Sequence, residues 1–208
     1  SYYVAKNFGP ALALALRKKR GSAEAALAET FTAMQRDVEA RRVRDGTAAV
    51  VLLVSGNDLV VANCGDSRAV LCRAGRAVDL TSDDKATSPA EVARIKRLGG
   101  FVTANGRVNG DLAVSRSIGD CALQPFVTAE PRVATYRLSK EDEFVVMACD
   151  GIWDVLSSQQ AVDVVRSVMS GGVKSSGGLR CGDNSKRYDD VDVDDDDKDG
   201  DGEEGEKE

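Results

Sequence analysis

Short valine-rich runs separated by turn residues limit what this chain can fold into. Thr47–Val54 is a continuous apolar run, and Leu59–Ala62 follows it after the turn-forming segment Ser55–Asp58. Runs of this length and composition favour β-strands, and a short polar connection between two of them is typical of an antiparallel hairpin. Four later runs continue the pattern: Ala69–Cys72, Arg76–Leu80, Arg132–Leu138 and Phe144–Ala148. The sequence therefore predicts antiparallel sheets with strands buried in a core.

One long segment has the periodicity of an amphipathic helix. In Ser22–Arg42 the apolar residues Leu27, Phe31, Met34 and Val38 recur at helical spacing. Strands joined by hairpins, with helices beside them, indicate an α+β fold with antiparallel sheets.

Two other helices are predicted from their first residues. Ser88 precedes Pro89, which suits the first helical position, and Glu91 stands where it would complete a capping box. Ser157 and Gln160 repeat the capping-box spacing before a second apolar-periodic stretch. Between these helices, residues 101–108 carry an Asn-Gly turn and predict a small hairpin.

The charge divides the chain into a body and a tail. The whole chain has a net charge of −6, but residues 189–208 contain 13 acidic residues and only two lysines. The rest of the chain is therefore mildly basic. Beyond residue 171 Gly, Ser and Asp dominate, so we expect a folded domain over residues 1–170 and a disordered acidic tail over residues 171–208.

Composition excludes several classes of site. Histidine is absent, which rules out Ser-His-Asp and Cys-His catalysis within these residues. The five cysteines have no zinc-like spacing, which favours a reducing compartment, the cytoplasm or the nucleus. No apolar stretch approaches the length of a membrane span.

Four motifs between residues 62 and 154 carry the predicted chemistry. Two of them place an aspartate, followed by a small residue, directly after an apolar run, which holds the carboxylate at a strand end. Carboxylates without cysteine or histidine partners suit hard cations such as Mg²⁺ and Mn²⁺. The motifs are Asn63-Cys64-Gly65-Asp66-Ser67-Arg68, Arg107-Val108-Asn109-Gly110, Ala113-Val114-Ser115-Arg116-Ser117-Ile118-Gly119-Asp120 and Cys149-Asp150-Gly151-Ile152-Trp153-Asp154.

In that order the motifs resemble those of the metal-dependent protein serine/threonine phosphatases of type 2C, from about Tyr2 to Met169. The resemblance implies an antiparallel β-sandwich with helices on both outer faces and a Mg²⁺/Mn²⁺ centre at one end. It implies hydrolysis of phosphoserine and phosphothreonine in proteins by metal-activated water. Phosphoprotein substrates are the partners it implies; we expect a monomer that binds neither nucleic acid nor membrane.

The resemblance also implies which aspartates bind the metals. Asp150 would be the shared ligand, and Asp66, assisted by Asp154, would hold a further, weaker ion. Asp183, in Asp183-Asn184, is the only counterpart of the remaining core ligand, although no apolar strand follows it.

Several features of the resembled family do not occur in this chain. The family's leading segment, with a phosphate-binding arginine and a Glu-Asp pair, is missing, and so is the Asp-Gly-His-Gly-Gly turn that follows it, so no catalytic side chain is assigned. An Asp-His-Lys-Pro motif is changed to Asp83-Asp84-Lys85-Ala86. The fold is therefore expected to be incomplete, with exposed sheet edges. These 208 residues alone are expected to be weakly active or inactive.

Structural interpretations compete with some of these assignments. Asp66 suits a tight turn, and Asp150 and Asp154 suit helix starts. Arg116 is expected to hold the structure near the site, and Trp153 to lie in the core. Residues 197–208 satisfy an EF-hand pattern, which an acidic low-complexity run matches by chance.

Two other functions remain open at this level. The chain is compatible with a catalytically inert phosphatase fold that binds phosphoproteins or a regulatory partner. It is also compatible with a truncated product without a function of its own.

Overall fold

The computed structural model describes residues 1–18 and 22–171. The helices are α1 (Tyr2–Lys18), α2 (Ala23–Ala40), α3 (Pro89–Arg97), α4 (Asp150–Trp153) and α5 (Ser158–Met169), with a 3₁₀ turn at Cys121–Leu123. The strands are β1 (Ala49–Ser55), β2 (Asp58–Cys64), β3 (Arg68–Arg73), β4 (Arg76–Asp79), β5 (Arg132–Arg137) and β6 (Asp142–Ala148).

The strands form two three-stranded antiparallel sheets. The first has the order β1-β2-β5 and the second the order β4-β3-β6. Strand β2 is buried on both faces, because Leu59 and Val61 point into the core between the sheets while Val60 and Ala62 point to the other side. The predicted β1–β2 hairpin and antiparallel sandwich are confirmed.

Helices cover the outer face of each sheet. Phe8 of α1 and Phe31 of α2 meet edge to face at 5.0 Å and pack with Val60 on the first sheet. On the second sheet, Trp153 and Val162 pack against Val70. The layers are therefore helix, sheet, sheet, helix, which confirms the predicted α+β class and the core position of Trp153.

A separate small core lies in the insertion between β4 and β5. Ala86, Ile95, Val108 and Val127 are buried together there. The hairpin predicted for residues 101–108 forms only one bridge, between Val102 and Val108. It is smaller than expected because its few apolar side chains pack into this local core and not into a sheet.

The two predicted capping boxes have different outcomes. At α5 the box forms in full, with Ser157 accepting the Gln160 N–H and Gln160 accepting the Ser157 N–H. At α3 Ser88 is the N-cap and Pro89 the first helical residue, but the Ser88 side chain makes no capping bond. The predicted box is wrong there, because the Glu91 carboxylate turns inward to arginines.

No helix in residues 1–18 and 22–171 is long and apolar enough to cross a membrane. The predicted acidic tail, Asp183 and the EF-hand pattern lie outside the described residues.

Candidate functional site

The β3–β6 ladder brings two of the predicted metal ligands to one end of the sandwich. Arg68 of β3 pairs with Ala148 of β6 in antiparallel register. Asp66 and Asp150 each lie two residues beyond that pair, on the chains that leave the sheet at this end. Strand pairing therefore places two carboxylates, far apart in the sequence, at one sheet end.

Asp66 lies on the tight turn between β2 and β3, and it is partly buried. Burial raises the pKa of Asp66, and the negative charges of Asp150 and Asp83 raise it further, while Lys85 opposes them. Asp66 does therefore lie in a tight turn, as the structural interpretation predicts. The turn leaves the carboxylate facing others of the same sign, an arrangement that a cation would stabilise.

Asp150 and Asp154 lie at opposite ends of the short helix α4. Asp150 is its first residue after the N-cap Cys149, as the helix-start interpretation predicts. Asp154 is the C-cap of α4, so the same interpretation of Asp154 is wrong. The exposed Asp154 carboxylate lies 3.7 Å from the Lys85 ammonium.

Arg68 closes one side of the site. Its guanidinium binds the Asp83 carboxylate through two hydrogen bonds of 2.9 and 2.7 Å, and it lies 5.2 Å from the centre of the Trp153 ring. Trp153 in turn donates its indole N–H to the Ala148 carbonyl. These contacts connect the β2–β3 turn to the strand end that carries Asp150.

The backbone of Gly65 is fixed directly before Asp66. Asp84 Oδ2 accepts the Gly65 N–H at 3.2 Å, while the Asp84 N–H and the Asn63 amide both donate to the Gly65 carbonyl. Gly65 has φ +115°, and a Cβ there would lie 2.5 Å from the Cβ of Ala48. Only glycine fits this position without strain or a clash.

Behind the turn lies a cluster of opposite charges around two buried carboxylates, which we call the ionic cluster. Its members are the carboxylates of Asp84 and Glu91 and the guanidinium groups of Arg94, Arg116 and Arg132. Arg116 also donates to the Glu130 carbonyl at 2.7 Å. The predicted structural role of Arg116 is confirmed, since its bonds hold other residues in place.

The donor set fits one hard cation more readily than two. Among residues 1–18 and 22–171 no three Asp, Glu or Cys side chains are grouped closely enough to hold a metal. Two facing carboxylates still suit Mg²⁺, which keeps several waters and is commonly bound by one or two carboxylates. Asp66 and Asp150 are the residues that would hold such an ion.

A cavity of about 540 Å³ lies next to the Arg68–Asp83 pair. Arg68, Asp83, Asn63, Arg132 and Tyr136 contribute to its wall, but Asp66 and Asp150 do not. The carboxylate pair therefore lies outside the lining of this cavity.

The profile of the protein phosphatase 2C family matches residues 2–176. The chain belongs to this family. A protein phosphatase 2C from Arabidopsis thaliana is 46% identical over 140 residues, which cover 66% of this chain and 31% of that protein. Human protein phosphatase 1G is 46% identical over 134 residues, which cover 60% of this chain and 24% of that protein.

Solved structures show the same fold. A C. elegans sex-determining protein superposes with a TM-score of 0.73 at 25% identity, covering 79% of this chain and 43% of that one. A Toxoplasma gondii serine-threonine phosphatase 2C gives 0.62 at 21% identity, covering 82% of this chain and 60% of that one. Among the curated relatives named above, the match spans less than half of the relative's length.

Sequence reasoning placed Asp66 and Asp150 in this phosphatase 2C fold but missed the groups that support them. It did not find the bonds of Asp84 to Gly65, the burial of Glu91 or the Lys85–Asp154 pair. The available signal was the changed motif at residues 83–86, which marked an unusual segment. It could not show that Asp84 is buried, because a buried aspartate and an exposed one look alike in a sequence.

Proposed function

We propose that this chain is part of a metal-dependent protein phosphatase that hydrolyses phosphoserine and phosphothreonine in protein substrates. The observation that carries the proposal is the β3–β6 ladder, which brings the aspartates of two family motifs to one sheet end. Family membership supports the reaction type, since the curated relatives are protein phosphatases.

Mg²⁺ or Mn²⁺ is the proposed cofactor, with Asp150 and Asp66 as ligands and Asp154 as a weaker contributor. A divalent ion bound there would activate water and offset the charge of the phosphoryl oxygens. The chain's own residues set the geometry: the carboxylates lie next to the paired ends of adjacent strands, and Arg68 contacts both Asp83 and Trp153 of α4. Asp183 is the proposed remaining ligand.

The proposed activity of these 208 residues alone is weak or absent. Within the described residues no group of three acidic or cysteine side chains could hold a metal, whereas a centre for two ions needs several oxygen ligands for each ion. A protein that folds and binds phosphoproteins without turnover is the second candidate, and the same observation favours it. A cytoplasmic or nuclear location and a monomeric state remain proposals.

The test is phosphate release from a phosphothreonine peptide, with Mn²⁺ and with EDTA. The variant Asp150→Asn removes a proposed ligand charge at nearly constant shape. Asp142→Asn is the matched control, because Asp142 is paired with Arg73 outside the proposed ligand set. Release that needs Mn²⁺ and is lost in Asp150→Asn, but kept in Asp142→Asn, supports the enzyme.

The binding candidate makes a different prediction for the same proteins. It expects saturable binding of the phosphothreonine peptide, weaker binding of the unphosphorylated peptide and no phosphate release. Mn²⁺-dependent release unaffected by Asp150→Asn would contradict the proposed ligand set.

A further inference from the structure

The turn that carries Asp66 is held by one buried residue from the insertion. Asp84 is fully buried, its carboxylate accepts the Gly65 N–H, and its backbone N–H donates to the Gly65 carbonyl at 3.0 Å. The Gly65 carbonyl and the Asp66 N–H belong to the same peptide plane. The Gly65 N–H belongs to the preceding plane, so the two bonds to Asp84 fix both peptide planes of Gly65, and the second plane leads directly to the Asp66 Cα.

Asp84 is itself fixed from several directions. The Arg132 Nε donates to Asp84 Oδ1 at 2.5 Å, and the Arg116 Nε lies 3.6 Å from the same oxygen. The Ser115 N–H and hydroxyl both donate to the Asp84 carbonyl, at 2.8 and 3.0 Å. Arg132 therefore holds the Asp84 carboxylate and Ser115 holds its backbone carbonyl, so Asp84 has little freedom to move and can transmit a fixed orientation to Gly65.

The arginine partners connect Asp84 to helix α3. Arg132 and Arg116 each bind Glu91 as well, at 2.7 and 3.1 Å. Each guanidinium thus faces both buried carboxylates of the ionic cluster. Because the groups share partners, displacing one of them disturbs the bonds of the others.

We propose that Asp84, with Arg132 as its counter-ion, is a positioning residue that sets the orientation of the Asp66 carboxylate toward a bound divalent cation. The inference rests on the proposed function, because it takes Asp66 to be a metal ligand. Groups that hold a ligand in place from behind commonly change metal affinity by about 10- to 100-fold when they are removed.

Asp142 offers a control with the same local chemistry. Its carboxylate also accepts a guanidinium, from Arg73 at 2.6 Å, and a backbone N–H, from Ser139 at 2.7 Å. It lies at the start of β6, whereas Asp150 follows the end of that strand. Asp84→Asn and Asp142→Asn therefore remove comparable charges, and only the first is next to the Asp66 turn.

The experiment is amide NMR of the full chain, with Mn²⁺ as the probe. Hydrogen exchange of the Gly65 amide, measured without metal, reports whether Asp84 holds the turn. Line broadening of the Ser67 amide during a Mn²⁺ titration reports binding at this turn. Its residue-specific readout separates that binding from ions attracted to the acidic residues 189–208.

In Asp84→Asn we expect hydrogen exchange of the Gly65 amide to be at least about tenfold faster. The Mn²⁺ concentration that produces half of the Ser67 line broadening should rise about tenfold. In Asp142→Asn both values should stay at those of the parent chain, whatever happens to Tm. If Asp84→Asn changes Tm alone, as a merely structural carboxylate would, the positioning role is overturned.

Asp66→Asn separates this inference from the proposed function. If it leaves the Ser67 broadening unchanged, Asp66 is not a ligand, and the proposed site fails together with the role of Asp84. If it abolishes the broadening while Asp84→Asn behaves like Asp142→Asn, the proposed site stands and the positioning role fails.

Arg132 provides a second variant in case Asp84→Asn does not fold. Its side chain is partly exposed, so Arg132→Gln is better tolerated than a change at Asp84. We expect the same two changes in a smaller degree, with partial recovery in Arg132→Lys, which restores the charge without the planar fork. Parent-like values of both readouts in Arg132→Gln would overturn the role of the pair.

Discussion

Asp66 carries an energetic cost in the absence of a cation. Burial raises its pKa, and the charges of Asp150 and Asp83 add to the effect. A raised pKa in the folded state means that this group favours folding at low pH and opposes it as the pH rises through the folded value. Residues that serve a ligand are commonly kept at such a cost to stability.

We therefore predict that Asp66→Asn stabilises the metal-free chain at neutral pH. The increase in Tm should be on the order of 1–2 °C, since a small gain in free energy shifts Tm by that amount in a domain of this size. Differential scanning calorimetry in EDTA measures it, with Asp58→Asn on the exposed Arg137 pair as a control. A lower Tm for Asp66→Asn would show that the carboxylate makes stabilising bonds.

At Glu91 the surrounding positive charges outweigh the effect of burial. Three arginines face this carboxylate, which is almost fully buried. Burial alone would raise the pKa of Glu91, but the hydrogen bonds and charges of Arg94 and Arg116 exceed that effect and lower it. A lowered pKa gives stability that is present above the unfolded value and is lost as the pH falls through the folded value.

Glu91→Gln is expected to lower the free energy of unfolding by about 3 kcal/mol at pH 7, since it removes one of the two carboxylates that balance the guanidinium groups of the ionic cluster. The difference from the parent chain should shrink as the pH is lowered into the acid range, where the parent's Glu91 is itself protonated. Urea unfolding across that range measures both. An equal difference at every pH would contradict the charge-based account.

At the scale of elements, two serines at N-cap positions differ in whether their side chains make a capping hydrogen bond. Ser157 completes the capping box of α5, the helix that covers the outer face of the second sheet. Ser88 occupies the same position before α3 but makes no side-chain capping bond. Pro89 limits the loss there, because its missing N–H needs no acceptor.

The two serines give a prediction in which the Ser88 variant is the control for the Ser157 variant. Ser157→Ala should cost about 1 kcal/mol of stability, the usual value for a lost N-cap, and Ser88→Ala only a few tenths. Urea unfolding of both variants measures the difference. Equal losses would mean that the serines act through something other than their capping bonds.

The same elements show how far the sequence predicts this structure. The α5 box and the β1–β2 hairpin were predictable because their signals are local: spacing, turn residues and apolar runs. The box at Glu91 failed because Arg116 and Arg132 lie far along the chain and attract its carboxylate more strongly than the helix start does. The Asp66–Asp150 pair came from the family resemblance, whereas Asp84 needed the tertiary structure.

At the scale of the whole molecule, part of the face between the sheets is left open. Met147 of β6 pairs with Ala69, whose side chain lies in the core between the sheets, yet Met147 is 42% exposed. In the described part of the chain β6 pairs with β3 alone, so its other edge is free. This is an exposed sheet edge of the kind that the sequence predicts, and beside an uncovered apolar face it favours association between chains.

The proposed monomeric state is therefore expected in dilute solution only, and we predict that self-association at higher concentration is reduced in Met147→Lys. Lysine on an edge strand disfavours pairing because the charge would be buried between chains. Val168→Lys, on a helix residue that is 60% exposed, is the control and should have no effect. Sedimentation velocity over a wide concentration range measures the self-association. Identical behaviour of the two variants would rule out this edge as the contact.

The β3–β6 ladder also has a consequence for the order of events in folding. The hairpin contacts β1–β2 and β3–β4 close short loops, whereas Arg68 and Ala148 must meet across the whole insertion and β5. Such distant pairings cost more loop entropy and form slowly. Asp66 and Asp150 therefore come together only after much of the chain has folded. An ion that bridged them would slow unfolding more than it would speed folding.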